Sequence, residues 1–235
     1  MPDPGLPPPS RLLFAAEVPR GAWALGTLLL RGTPRDGPPG DGRPVLLLPG
    51  LMIGDRALVP MQRYLRRLGY AADSWGLGRN RGVRTVGEDN ERVHALIERR
   101  AAAEGPVTLV GVSLGGIMAR LAAHRLGPAK VRQVITLASP YAAGPRATNV
   151  WRAYQWASGE RIDDPRLVAR LAELARPLPV PASAIWSRTD GLVSGHACHV
   201  PGEPGLRAIE IGGSHLGVHF RASVLRAVAD ELARG

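Results

Sequence analysis

Val107-Thr108-Leu109-Val110 runs straight into Gly111-Val112-Ser113-Leu114-Gly115-Gly116, and a helical stretch over Leu114–Leu126 follows at once. A short unbroken apolar run reads as a buried parallel strand, so the segment predicts a strand, a sharp turn and a helix. Within the turn, Gly111, Ser113 and Gly115 form a G-x-S-x-G pattern. A serine there projects its hydroxyl from the carboxyl edge of a sheet, and the small neighbours let strand and helix approach closely. The pentapeptide alone is a weak signal because glycine and serine are common. The strand–turn–helix context gives it weight, and Ser113 is the candidate nucleophile.

A hydroxyl is a poor nucleophile until a base takes its proton. Of six histidines, His94 and His124 fall in predicted helices and read as surface or satisfied helix residues. His215 lies in Gly212-Gly213-Ser214-His215-Leu216-Gly217, between a strand at 206–211 and a closing helix at 216–233, where a side chain returns to the edge that carries Ser113. His219, one helical turn on, is the nearest competitor and reads as pointing along that helix. The acid that orients the imidazole should follow the preceding strand. Asp190 does so in Ser187-Arg188-Thr189-Asp190-Gly191-Leu192-Val193, whereas Asp163 and Asp164 precede Pro165 and read as helix caps. An oxyanion needs two oriented N–H donors. Leu114 follows the nucleophile at a helix start, and Leu51 follows Pro49-Gly50 after the strand at 45–48, with Met52 as second choice.

Outward from these residues, strands at 45–48, 70–75, 107–110, 131–137, 182–186 and 206–211 alternate with helices at 56–68, 88–103, 114–126 and 216–233. That spacing predicts βαβ units: an α/β fold of about six mostly parallel strands with helices on both faces. A chain of 235 residues with 45% hydrophobic content suits one core. Residues 1–43 read as a flexible or polyproline lead-in followed by a helix at 11–31, and residues 44–235 as the domain. The stretch 141–178 is too long for a plain crossover and reads as a lid insertion. Its Val150, Trp151, Tyr154 and Trp156 fit either an apolar wall over the site or ordinary helix packing; with Met52, the three aromatics are the candidate substrate contacts.

Taken in order, Pro49-Gly50-Leu51, Gly111-Val112-Ser113-Leu114-Gly115, Thr136-Leu137-Ala138-Ser139-Pro140, Ser187-Arg188-Thr189-Asp190 and Gly213-Ser214-His215-Leu216-Gly217 resemble the lipase/esterase branch of the α/β-hydrolase superfamily over residues 44–233. The resemblance implies carboxylic-ester hydrolysis through an acyl-enzyme, with a triad of Ser113, His215 and Asp190, an oxyanion hole at Leu51 and Leu114, and no cofactor. The chain departs from many lipases in carrying Pro49-Gly50 where they have His-Gly. The first hairpin of the larger fold also has no counterpart, since residues 11–31 read as helix.

The formal net charge is +10, and Lys130 is the only lysine. Spread-out arginine favours anionic surfaces. No nucleic-acid motif accompanies it, so the expected partner is a small-molecule or lipid ester rather than nucleic acid. Cys198 is the only cysteine, which excludes an internal disulfide, and His196, Cys198 and His199 match no zinc spacing, so no metal is expected. Gly76-Leu77-Gly78-Arg79-Asn80 is not a dinucleotide fingerprint and reads as a loop near the site. The apolar stretch 21–30 is too short to span a bilayer and is bracketed by Arg20 and Arg31, which points to a cytoplasmic location with no signal peptide. The apolar residues of the helix at 11–31 are too evenly spread for a clean amphipathic membrane helix, so docking on the core is expected, with peripheral contact at a membrane surface as the alternative. Two rivals stand beside ester hydrolysis: an acyltransferase or thioesterase using the same triad, and a non-catalytic relative that binds lipid through its basic surface.

Overall fold

Val45, Leu46, Leu47 and Leu48 are all buried. Side chains alternate across a strand, so Val45 and Leu47 enter one apolar layer while Leu46 and Leu48 enter the other. A strand apolar at consecutive positions must be covered on both faces, the condition of a parallel sheet. The computed structural model describes residues 5–235; residues 1–4, the start of the proline-rich lead-in, lie outside the described residues. In chain order the elements are α1 (Arg11–Ala15), α2 (Glu17–Arg31), β1 (Pro44–Leu48), α3 (Asp55–Leu68), β2 (Ala71–Ser74), α4 (Val83–Val86), α5 (Glu91–Glu104), β3 (Val107–Val112), α6 (Leu114–Leu126), β4 (Val131–Leu137), α7 (Trp151–Ser158), α8 (Pro165–Leu174), β5 (Ala182–Trp186), β6 (Leu206–Glu210) and α9 (Ala222–Leu232).

The strands form one six-stranded sheet in the order β2-β1-β3-β4-β5-β6, parallel throughout, as the sequence pattern predicts. Leu58, Met61 and Leu65 of α3 and Val224, Leu225 and Val228 of α9 cover the face that carries Val45 and Leu47. Val93 and Ile97 of α5 and Met118, Ala119 and Ala122 of α6 cover the face that carries Leu46 and Leu48. The order reverses at β1: the chain leaves it toward β2 and returns to β3 on its other side. The loops after β1 and β3 therefore depart to opposite faces and leave a crevice at the carboxyl edge between them.

Three local readings differ from the sequence expectation. The helix at 11–31 is two helices broken at Ala16. The closing helix begins at Ala222 rather than 216, because Gly217 takes a left-handed conformation (φ 76°) and residues Val218–Phe220 form a 3-10 turn. The lead-in is seated rather than free from Leu6 onward: Leu6 packs with Ala143, Ala147 and Ala197, and the Pro9 carbonyl accepts a hydrogen bond from Asn149. The insertion is anchored by Arg120, which is fully buried. It donates to the Leu174 and Arg176 carbonyls and to Glu203, with its guanidinium 3.6 Å from the Tyr141 ring centroid.

The turn between β3 and α6 leaves no room for side chains at its glycines. A Cβ on Gly111 would strike the Gly116 backbone, and one on Gly115 the carbonyls of Leu48 and Pro49. Gly115→Ala is expected to lose about 3 kcal/mol or more, because the obstacle is backbone that cannot swing aside. A urea titration unchanged from wild type would contradict this.

His219, in the 3-10 turn, is buried against α2, α3 and α9, and neither ring nitrogen has a hydrogen-bond partner among the described residues. Burial first, then the nearby His215, pushes its imidazole down to about 4. Its unfolded value is about 6.5, so below that pH the unfolded chain binds the extra proton. The stability that comes from keeping the ring neutral is present above about 6.5 and is lost as pH falls toward 4. His219→Leu should remove about 2–3 kcal/mol of the stability loss between pH 7 and pH 4.5. Urea titrations at both pH values check it, and parallel losses in the two proteins would refute it.

Candidate active site

Ser113 follows β3 at φ 51° and ψ −115°, a conformation an L-residue adopts only when its surroundings impose it. Its N–H donates to the Leu137 carbonyl (2.7 Å) and its own carbonyl accepts from Gly116 (3.0 Å), which fix the turn from both sides. Neither Leu51 nor Leu114 has an acceptor for its backbone N–H among the described residues. Leu51, Ser113 and Leu114 share the wall of one cavity of about 130 Å³. The rest of that wall is largely apolar: Ile117, Met118 and Leu121 from α6, Trp151 and Tyr154 from α7, and Leu167, Leu171 and Leu174 from α8.

The loop after β1 is held by Asn80, a fully buried side chain. Its amide donates to the Pro49 carbonyl (2.7 Å) and its oxygen accepts from Gly82 (3.0 Å), while its backbone exchanges bonds with Met52 and Ile53. Met52 gives its N–H to the Asn80 carbonyl (2.7 Å), so that donor is occupied. The cavity wall includes Trp151 and Tyr154 but neither Met52 nor Trp156, and Trp156 faces solvent at 73% exposure. The loop at 76–80 thus acts through one asparagine, which glycine spacing alone does not single out.

Asp190, after β5, is buried. One carboxylate oxygen accepts the N–H groups of Leu192 (2.9 Å) and Val193 (2.8 Å), and the other lies 2.7 Å from His215 Nδ1. Burial alone would push the imidazole down. The Asp190 charge and hydrogen bond, with Glu17 behind them, outweigh it and hold His215 above its ordinary value. Among the described residues no direct hydrogen bond joins Ser113 Oγ to His215. Such bonds are often long in unliganded sites. The three residues follow β3, β5 and β6 at the same carboxyl edge of the sheet.

Glu17 was not among the sequence candidates. It sits on the inner face of α2 at 1% exposure, and its carboxylate accepts three backbone N–H groups: Gly191 (2.7 Å) and His215 (3.0 Å) on one oxygen, Leu216 (2.8 Å) on the other. Arg20, a turn later, donates to the carbonyl and hydroxyl of Thr189. Ser187 completes the tie: its hydroxyl donates to the Gly213 carbonyl and accepts the Gly213 N–H, each at 2.9 Å. The only acid of α2, spaced on one face with Gly21, Ala24 and Leu28, is the signal that could have found Glu17.

The remaining candidates fall outside this constellation. His94 and His124 are not satisfied: each is partly buried with Nε2 unpartnered among the described residues, and burial lowers both. His219 is buried in its turn rather than pointing along a helix. His199 stacks on Trp186 at 4.6 Å, and Cys198 is buried, which raises its thiol well above the usual range. Asp164 caps α8 by accepting from the Arg166 N–H, and Asp163 pairs with Arg161.

No family model and no curated protein matches the sequence. Solved structures do. One of the metagenome-derived lipolytic enzymes LipS and LipT aligns over 84% of this chain and 96% of its own, with a TM-score of 0.61 and 14% identity. The carboxylesterase CesB of Bacillus subtilis aligns over 94% of this chain and 99% of its own (TM-score 0.55, 13% identity). A bromoperoxidase from Bacillus anthracis aligns over 84% and 94% (TM-score 0.56, 19% identity). One backbone thus carries different chemistries among these neighbours. Six parallel strands in this order, helices on both faces and the likeness to these structures together establish that the chain has the α/β-hydrolase fold.

Proposed function

We propose that this chain is a serine-dependent hydrolase of carboxylic esters acting through an acyl-enzyme. The observation that carries the reading is Ser113, held in a strained turn in the wall of an apolar cavity beside the unpaired N–H groups of Leu51 and Leu114. The Asp190–His215 pair at the same edge supplies the base.

In this reading His215 Nε2 takes the Ser113 proton as Oγ attacks the ester carbonyl carbon. The carbonyl oxygen becomes an oxyanion and accepts hydrogen bonds from Leu51 and Leu114, an arrangement in which one donor is worth roughly 10²–10³ in rate. Collapse breaks the bond to the alcohol oxygen, which leaves with the proton from His215. Water then gives a proton to His215 and attacks the acyl carbon, and the returned proton frees Ser113 with release of the acid. Asp190 fixes the tautomer: with Nδ1–H committed to the carboxylate, Nε2 is the free acceptor. The cavity wall suits an acyl chain, since its side chains offer a hydrocarbon group dispersion contacts and few hydrogen bonds.

A fluorophosphonate probe should label the wild-type protein at Ser113, and Ser113→Ala should abolish both labelling and hydrolysis of p-nitrophenyl esters. A folded wild-type protein that neither labels nor hydrolyses would end the proposal and favour the lipid-binding rival.

The base must be neutral to act, so a raised His215 places the acid limb of the rate profile above about 6.5. Glu17→Gln removes a negative charge beside the imidazole and misplaces both loops. The limb should move to lower pH, and kcat should fall by about 10–100-fold with KM nearly unchanged. A pH–rate profile superimposable on wild type would show that Glu17 has no hold on the base.

A further inference from the structure

α2 is apolar on both sides, and only one side is covered. Glu17, Gly21, Ala24 and Leu28, spaced for one helical face, turn toward the protein. Val18, Ala22, Leu25 and Leu29 lie on the opposite side with Pro19, Trp23, Gly26 and Leu30, and no charged residue interrupts them. Exposure there is extreme for such side chains: 78% for Trp23, 76% for Leu29 and 89% for Leu30, with Leu12 of α1 at 84%. Single exposed leucines need no explanation, but a contiguous strip with a tryptophan does.

Charge decides what covers it. Arg11 stands at one end of the strip and Arg31 and Arg35 at the other; all three are exposed and in no ion pair among the described residues. From residue 5 to residue 35 the only acid is Glu17, which is buried. The nearest exposed acid, Asp36, is paired with Arg226. An apolar strip with unopposed cations at its ends matches an interface of hydrocarbon beneath anionic headgroups. No helix among the described residues is long and apolar enough to cross a membrane, so α2 would lie along the surface.

We propose that α1 and α2 form a docking face for anionic lipid bilayers, with Trp23, Leu29 and Leu30 entering the acyl boundary and Arg11, Arg31 and Arg35 meeting headgroup phosphates. The proposal stands apart from the hydrolase reading, since it concerns the outer face of α2 and not the cavity. The inner face of the same helix carries Glu17, and a Cβ on Gly21 would stand 2.8 Å from that of Leu216, so a docked α2 would lie between the lipid and the loop that carries His215.

The test is sedimentation of the full chain with vesicles of phosphatidylglycerol and phosphatidylcholine, or of phosphatidylcholine alone. Wild type should bind the anionic vesicles at least tenfold more tightly than the neutral ones, and 0.5 M salt should release most of it. Trp23→Glu/Leu30→Glu should weaken binding by at least tenfold, and Arg31→Glu/Arg35→Glu should weaken it while leaving the apolar strip intact. Thermal melts identical to wild type show that the variants are folded. Absence of wild-type binding, equal affinity for neutral and anionic vesicles, or variants that bind as wild type would each overturn the proposal. So would a wild-type dimer that Trp23→Glu/Leu30→Glu splits into monomers without any vesicle binding, since the strip would then cover a second copy of this chain.

Discussion

Asp190 gives one carboxylate oxygen to His215 and the other to the N–H groups of Leu192 and Val193, so it cannot rotate toward or away from the imidazole without stranding backbone donors. Glu17 grips the backbone N–H groups of the next residue, Gly191, and of His215 itself. Two buried carboxylates thus hold one histidine, and among the described residues neither forms an ion pair with an arginine. Because N–H dipoles satisfy them without neutralising them, their charge remains available to favour a protonated imidazole. The raised His215 follows from that arrangement even though burial opposes it.

Topology supplies the other half of the site. β1 and β3 are neighbours, yet their following helices cover opposite faces of the sheet, so the loops part and leave room at the edge. Leu51 comes from one loop and Ser113 from the other, and no later insertion could create that gap. The gap is narrow because Gly111, Gly115 and Gly116 let α6 lie against β3 and the Leu48 carbonyl. The strain at Ser113 is offset by the burial of α6, whose Met118, Ala119 and Ala122 fill the layer behind it.

Much of this was legible in sequence. Alternating apolar runs and helical stretches gave the sheet, and position in the turns after the third, fifth and sixth strands marked Ser113, Asp190 and His215 as candidates for one edge. The 2.7 Å Asp190–His215 contact brings together two residues chosen from loop position alone. Glu17, Asn80 and Arg120 were not legible for a common reason. Each acts through backbone groups far along the chain, and neither propensity nor periodicity encodes such a partner. The closing helix was drawn too long because apolar spacing runs through 216–221, and Gly217 stops the helix by conformation and not by polarity. Trp156 was grouped with Trp151 and Tyr154 by composition, but on α7 it lies five residues from the first and two from the second, so it turns away from their face.

The even apolar spread of residues 11–31 argues against a membrane-surface helix when read as one amphipathic face. In the fold it divides into two. An inner half carries the polar grip on the Asp190 and His215 loops, and an outer half is left unpaired. A helix that merely docked on the core would need polar residues outside, where water meets it, and the chain places none there between Val18 and Leu30. Retaining that face costs solubility, and the cost makes sense only if something covers it. The same helix that would be covered is the one whose Glu17 holds the backbone of Gly191, His215 and Leu216, so occupancy outside and order inside share a single element.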